Sequence, residues 1–405
     1  MDFTKEKFQL LAISSLTLPW LISLAFNYHH PALTQTLLSG LAVVSASFLI
    51  SWAAETAEMD VPRSFSLAIV ALLAVLPEYA VDGYFAWKAG SVGGEYVHYA
   101  TANMTGANRL LIGIGWSLVA FIAFRTLKSK EVELDDGIRL EIFFLFLATL
   151  YAFTLPLKGH ISPFDALVFV SLYAIYIYLS TKAEREEVEV GGVPAYLCSL
   201  KTETRRLSVV VLFLFAGFTI LMSVEAFSEG LLETARIAGI DEFLAVQWIA
   251  PLASESPELI VAIYFVRRFR VSASMNALIS SKVNQWTLLI GTIAIIYSIS
   301  AFKLQSLPLD ARQSEEVLLT AAQSLFAVAI LLDLKISWKE ASALFLLFIV
   351  QLLFPGVEVR YIISAIYIIL SLPILFAKRK EIVESFRTVK RLISLESSGE
   401  NLYFQ

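Results

Sequence analysis

Twelve apolar stretches divide this chain from end to end, at about 8–26, 33–57, 64–87, 98–124, 139–155, 164–180, 207–235, 243–266, 272–299, 316–333, 338–354 and 359–377. Most approach the ~20 residues a helix needs to cross a bilayer. Within hydrocarbon every backbone polar group needs an internal partner, so such stretches become helices. Pro355-Gly356 separates the last two, which can also be read as one broken helix. The expectation is an all-α membrane protein of about 11–12 transmembrane helices. Charged residues make up 17% of the chain, against roughly 25% in soluble domains. No segment between the spans is long enough for a soluble domain. The longest, roughly Thr181 to Arg206, is charged and reads as a linker. No cleavable signal peptide is expected after the first span. Glu400–Gln405 reads ENLYFQ, the remnant of an expression-tag protease site.

Lys and Arg alternate in density along the segments between spans. With twelve spans and the N-terminus inside, inner segments carry 23 basic residues and outer segments six. Inner loops of membrane proteins are enriched in Lys and Arg. Both termini are therefore expected in the cytoplasm of a multi-pass cell-membrane protein.

The two halves repeat each other. LLAVLPEYAVDGYF at 72–85 matches LASESPELIVAIYF at 252–265, with Pro77-Glu78 against Pro257-Glu258. AETA at 54–57 resembles LETA at 232–235, and ANMTGANRLLIG at 102–113 aligns with SSKVNQWTLLIG at 280–291. The last pair begins similarly, ISPFDALVFV at 161–170 and ISWKEASALF at 336–345. Five spans per repeat is an odd number, so the repeats cross the membrane in opposite senses. Inverted repeats place substrate sites near the midplane. The expected organisation is an extra N-terminal helix at 1–31, a first repeat at 32–181, a cytoplasmic linker at 182–206, a second repeat at 207–355, a C-terminal extra helix and basic tail at 356–394, and a tag remnant at 395–405.

Glu78, Glu255 and Glu258 fall near the centres of apolar spans. A carboxylate there costs about 2.5–3.5 kcal/mol on insertion scales and persists when it faces a cavity, a cation or a partner. Glu255 and Glu258 are three apart and share a helix face. Pro77 and Pro257 each remove a backbone donor and free a carbonyl one turn back. Carboxylates and carbonyls are hard ligands suited to Ca2+, and Ser254, Ser256, Asn103 and Asn284 offer neutral oxygens. The bland alternative is a protonated, hydrogen-bonded structural carboxyl. Occurrence of Pro-Glu in both repeats weighs against it.

At these residues the sequence resembles the cation/Ca2+ exchanger superfamily, whose inverted repeats carry a Pro-Glu or Asn-x-x-Glu element in a kinked helix and a Gly-Asn-x-x-Gly-Ser-type element in the next. LPEYAVDG and SESPELIVA match the first element, and ANMTGAN matches the second. The resemblance covers all ten repeat spans and extends to prokaryotic, archaeal-type Ca2+/H+ exchangers. It implies kinked helices around a midplane cation site, with Glu78 and Glu258 as paired acidic ligands. Sodium-coupled members carry Thr-Ser before the motif. Here Ala74-Val75 and Ser254-Glu255 stand there, so three of four hydroxyls are missing and one has become a carboxylate. Carboxyls that are close together or desolvated hold protons near neutral pH.

The expected function is therefore a secondary antiporter, not an enzyme, exchanging Ca2+ for H+ by alternating access. Ca2+ is substrate, H+ or Na+ is counter-ion, and no cofactor is expected. The expected ligands are Glu78, Glu255, Glu258, Ser254 and Asn103. Na+/Ca2+ exchange is the alternative, and a cation channel with selecting carboxylates is a weaker one. An intramembrane protease lacks its mid-span Asp pair. No Walker or dinucleotide motif is present, which argues against ATP-driven pumping, and no basic surface suggests nucleic acid. Cys198 alone forms neither an intramolecular disulfide nor a Cys-based zinc site. The lipid bilayer is the one assembly partner implied, and the oligomeric state is not legible.

Asp82, Glu225, Lys282, Asn284 and Gln285 are candidate pathway or accessory residues. Asp82 lies one turn beyond Glu78 and can line an outer vestibule. Lys282 reads as a neutralising partner for Glu255 or Glu258, as a stand-in for a second cation of relatives, or as a structurally paired or snorkelling lysine. Arg109 reads as structurally paired. Glu229 can line the same path as Glu225, or pair with Arg236. The four histidines lack metal-ligand spacing and read as loop residues.

Overall fold

The computed structural model describes residues 3–60, 75–182 and 190–398, with side chains described as far as residue 393. These residues are almost entirely helical. In chain order the helices are α1 (Thr4–Ser15), α2 (Leu18–Ala25), α3 (Ala32–Ala57), α4 (Leu76–Ser91), α5 (Tyr96–Leu127), α6 (Asp136–Lys158), α7 (Pro163–Ser180), α8 (Gly192–Cys198), α9 (Thr202–Ala238), α10 (Glu242–Arg267), α11 (Val271–Ser300), α12 (Ala311–Leu331), α13 (Trp338–Leu353), α14 (Val357–Ala377) and α15 (Arg379–Ser398). Counting α1 and α2 together, ten are long and apolar enough to cross a membrane. The other two expected spans are the one at 64–87, of which 64–74 lies outside the described residues, and α13, which has 16 residues.

Several boundaries differ from the sequence reading. The first span is divided at Leu16-Thr17. Pro355-Gly356 separates two helices, not two pieces of one. The expected linker at 182–206 contains α8 and the first turn of α9, while 183–189 lies outside the described residues. At 37 residues α9 exceeds the ~20 that a bilayer requires. The basic tail is the helix α15. Residues 395–398 of the expected remnant continue α15, and 399–405 lies outside the described residues.

The chain forms two compact units. One comprises Met1–Ala107, Glu187–Glu258 and Ile299–Ala301, and the other Asn108–Glu186, Leu259–Ser298 and Phe302–Gln405.

In the first unit, the opening helices of the two repeats, α3 and α9, pack along their lengths. Thr36 Oγ1 meets Thr234 Oγ1 at 3.0 Å. Gly40 leaves room for the Phe227 ring. Ala46, Leu49 and Ile50 cluster with Ala216 and Ile220, and Ala54 and Ala57 with Val209. Arg205 reaches Asp60 just past the end of α3. Numbers rise along α3 as they fall along α9, so the equivalent helices are antiparallel. Inversion of the repeats requires this.

In the second unit the symmetry takes the form of exchange. Strand β1 (Glu131–Glu133), which leads into α6, pairs with β4 (Lys335–Ser337), which leads into α13. Strand β2 (His160–Ile161), which leads into α7, pairs with β3 (Leu307–Pro308), which leads into α12. Each repeat thus lends its penultimate connection to the last connection of the other. The closing helices exchange too. A Cβ on Gly113 of α5 would lie 2.2 Å from Phe348 of α13, and one on Gly291 of α11 would lie 2.7 Å from Val170 of α7. These glycines are aligned in the two repeats, and each admits the final helix of the other.

Candidate functional site

Val75 has non-helical dihedrals and Pro77 sits in the first turn of α4. Proline is at home there, because its missing N–H is one that a helix start leaves unpaired. Glu78 therefore lies in the first turn of α4, where the positive end of the helix dipole favours a carboxylate. It is 3% exposed. One turn on, Asp82 is wholly buried, and the Asn103 amide of α5 stands against its carboxyl.

The matching motif is built differently. Pro251 and Pro257 both lie inside the continuous helix α10. Pro257 cannot donate to the carbonyl of Ala253, which leaves that oxygen for another partner. Glu255 is 5% exposed, and Glu258 half-buried. Ser254 Oγ turns back toward the carbonyls of Ala250 and Pro251, at 3.5 and 3.3 Å. As a donor to its own helix it keeps oxygen lone pairs for an incoming cation. Glu78, Glu255 and Glu258 all have polar partners in the protein. Among the described residues, no three His, Cys, Asp or Glu side chains are gathered into a ready metal-binding group.

The glycine of ANMTGAN has a packing role. A Cβ on Gly106 would lie 1.8 Å from the backbone oxygen of Gln247. Backbone meets backbone where α5 crosses α10, two turns before Glu255. The Gln247 amide also donates to Thr105 Oγ1 at 3.3 Å.

The second unit holds the other sequence candidates. Lys282 is wholly buried, donates to Asn108 Oδ1 at 2.6 Å, and lies over the Trp286 ring at 4.4 Å. Of the three readings of Lys282, this contact set favours structural pairing. Asn284 donates to Tyr173 Oη at 2.9 Å, and Gln285 to Ser281 Oγ at 3.4 Å. Both α5 and α11 contain a π-helical turn, at Leu111–Trp116 and Gln285–Leu289. Such insertions often mark functional segments, and sequence periodicity does not reveal them.

Arg109 belongs to a buried ion network, as its structural reading required. It meets Glu316 at 2.5 Å, and Arg360 meets Glu315 at 2.6 Å and Glu316 at 3.3 Å. Sequence reading missed Glu315, Glu316 and Arg360. Adjacent glutamates inside an otherwise apolar helix were the available signal.

Glu225 lies on an exposed face, 3.3 Å from Lys88. Glu229 accepts from Tyr84 Oη at 2.5 Å and from Tyr96 Oη at 2.6 Å. Arg236 pairs with Glu233 and Glu242, so of the two readings of Glu229 the pairing with Arg236 is not the one the structure takes. Tyr99 Oη donates to Glu242. Glu229, Tyr96, Tyr99, Glu233, Arg236 and Glu242, with His30 and Glu95, line a cavity of about 570 Å3. At the far end of α3 the guanidinium of Arg205, helped by Arg206, holds the Asp60 carboxyl below its usual range.

Antiparallel first helices, exchanged last helices and buried carboxylates at matching prolines define an inverted-repeat ion transporter. A family model described as "Sodium/calcium exchanger protein" matches residues 31–182 and 208–357, and the chain belongs to that family. A solved structure described as the crystal structure of H+/Ca2+ exchanger CAX is 97% identical, with a TM-score of 0.91, covering 97% of this chain and 100% of its own. The sodium-calcium exchanger NCX_Mj soaked with Na+ and Sr2+ is 18% identical, with a TM-score of 0.52, covering 80% of this chain and 98% of its own, and shares the fold. The comparison with curated proteins returns no match.

Proposed function

We propose that this protein is a secondary antiporter, not an enzyme, which exchanges Ca2+ for H+ by alternating access. The observation that carries the reading is the burial of Glu78, directly after Pro77, and of Glu255, two residues before the matching Pro257, in opposed repeats. The 97% identity to a structure described as an H+/Ca2+ exchanger supports it.

In this reading deprotonated Glu78, Glu255 and Glu258 are the charged ligands of Ca2+. Asn103, Ser254 and the free carbonyl of Ala253 add neutral oxygens. Ca2+ favours six to eight oxygen ligands, and carboxylates can supply two each. Protons occupy the same carboxyls on the return step, so cation and protons exclude each other. That exclusion is the coupling. Asp82 lies one turn from Glu78 and can pass protons or cations toward it. Lys282, Asn284 and Gln285 serve α11 as accessory groups.

In this reading the transporter works in the cell membrane with both termini in the cytoplasm, as the density of Lys and Arg in the inner segments supports. Ca2+ and H+ are its transported ions, and the bilayer is its surroundings. Na+ coupling is the competing reading, and the lost hydroxyls at Ala74, Val75 and Glu255 count against it. The test is 45Ca uptake into vesicles containing the purified protein. A pH gradient without Na+ is expected to drive uptake. Uptake driven by a Na+ gradient alone, at clamped pH, overturns the proton reading.

A further inference from the structure

The C-terminal helix α15 follows the membrane span α14 with a single residue, Lys378, between them. Lys378 is fixed at the end of α12, donating to the Ile330 carbonyl at 2.6 Å and pairing with Asp333 at 2.8 Å. Farther on, the Phe386 ring packs edge-on against Phe143 at 4.8 Å, one turn into α6 after Arg139. Ser385 and Val389 are buried. The helix is therefore held at the end of a span and against the beginning of another, at a depth where bilayer gives way to water.

Beside this contact an apolar strip stays half uncovered, with Phe386 at its edge. Val383, Phe386 and Ile393 are 49, 49 and 51% exposed. Spaced three and seven apart, they share one side of the helix. Arg379, Lys380, Arg387, Lys390 and Arg391 are exposed alongside them. Among the described side chains of α15 the exposed acid is Glu384, which faces Arg139 at 3.9 Å. Apolar side chains flanked by Lys and Arg are the composition of helices that lie in the plane of a membrane interface. The aliphatic stems pack along the apolar strip while their charged heads reach phosphate.

We propose that α15 is an interfacial helix that binds anionic phospholipid. Val383, Phe386 and Ile393 enter the boundary between headgroups and acyl chains, and Arg387, Lys390 and Arg391 hold the phosphates. The charge complementarity argues for lipid over a second protein copy, since a like-charged copy would repel. Each basic residue near an anionic surface strengthens association by about fivefold.

The test uses the full chain with a nitroxide at Ile393→Cys, in a Cys198→Ser background that removes the single native thiol. The protein is placed in phosphatidylcholine vesicles with and without phosphatidylglycerol. The label is expected to be sheltered from a water-soluble relaxant and open to oxygen, more so with phosphatidylglycerol. Adding Arg387→Gln, Lys390→Gln and Arg391→Gln should abolish the dependence on phosphatidylglycerol, whereas Arg387→Lys, Lys390→Arg and Arg391→Lys should preserve it. A label equally open to the water-soluble relaxant in both vesicles and in detergent overturns the proposal. So does a label already sheltered from both relaxants in detergent, which would mean a protein surface covers the helix. If the glutamine variant does not fold, the two vesicle compositions decide with the native charges.

Discussion

Ser162 and Ser337 close the same capping box at corresponding points of the two repeats. Ser162 accepts from the Asp165 amide while its own amide donates to Asp165 at 2.7 Å. Ser337 does the same with Glu340, again at 2.7 Å. Each serine directly follows or ends a ribbon strand borrowed by the other repeat. Replacing a capping serine by alanine typically costs ~1 kcal/mol. Ser162→Ala and Ser337→Ala are therefore expected to lower thermal stability by similar amounts, and the double variant by roughly their sum. Size-exclusion melting curves of the three variants check this.

Gly106→Ala is expected to be far more damaging than an average surface change. The added methyl would meet the Gln247 backbone oxygen at 1.8 Å, and backbone cannot yield as a side-chain tip can. Overpacking costs about 1–3 kcal/mol in well-packed interiors. Loss of monodisperse protein, or a markedly lowered melting temperature, is the expected outcome. A Gly106→Ala protein with native stability and uptake would show that α5 and α10 need not cross so closely.

Removing the charge of one ligand should stop transport while sparing the fold. Glu78→Gln, Glu255→Gln and Glu258→Gln are each expected to lower initial 45Ca uptake by at least about tenfold, because each removes a hard anion from the proposed Ca2+ site. Melting temperatures should hold or rise, since a neutral amide is cheaper to bury than a carboxylate. Full activity in Glu255→Gln would take that residue out of the site and return the coupling to two glutamates.

Arg360 holds a different kind of charge. It is 4% exposed and faces Glu315 and Glu316, both also buried. Arg360→Met leaves those glutamates short of a cation, at a cost of about 3–5 kcal/mol for a buried pair broken on one side. Combining it with Glu315→Gln should recover much of the loss. Denaturation midpoints of the single and double variants measure the coupling.

Asp60 supplies a pH dependence. Arg205 donates to its two carboxylate oxygens at 2.7 and 2.8 Å and lowers its pKa in the folded protein. A depressed carboxyl stabilises the fold fully above its unfolded value of about 3.9, and the gain is lost as pH falls through the folded value. Wild-type stability should thus fall between about pH 4 and lower pH more steeply than that of Asp60→Asn. Parallel acid limbs for the two proteins would remove Asp60 from the account.

The sequence alone determined the class, because hydrocarbon leaves a chain few choices. Apolar lengths, basic residues that alternate from loop to loop, and Pro-Glu at matching places specified helices, repeats and their inversion. Glu78 and Glu255 were legible because a carboxylate in an apolar run is costly and therefore noticeable. Tertiary structure decided what no run of residues contains. It set Pro77 at a helix start but Pro257 within a helix, although the motifs look alike. It tied Arg109 and Arg360 to Glu315 and Glu316, whose partners lie on helices far apart in sequence. It gave Lys282 to Asn108 and Trp286, and Glu229 to two tyrosines in place of Arg236. The physical reason is one of range. Hydropathy and backbone restriction act within a few residues, whereas a buried charge is satisfied by whichever group the packing of distant helices brings within about 3 Å.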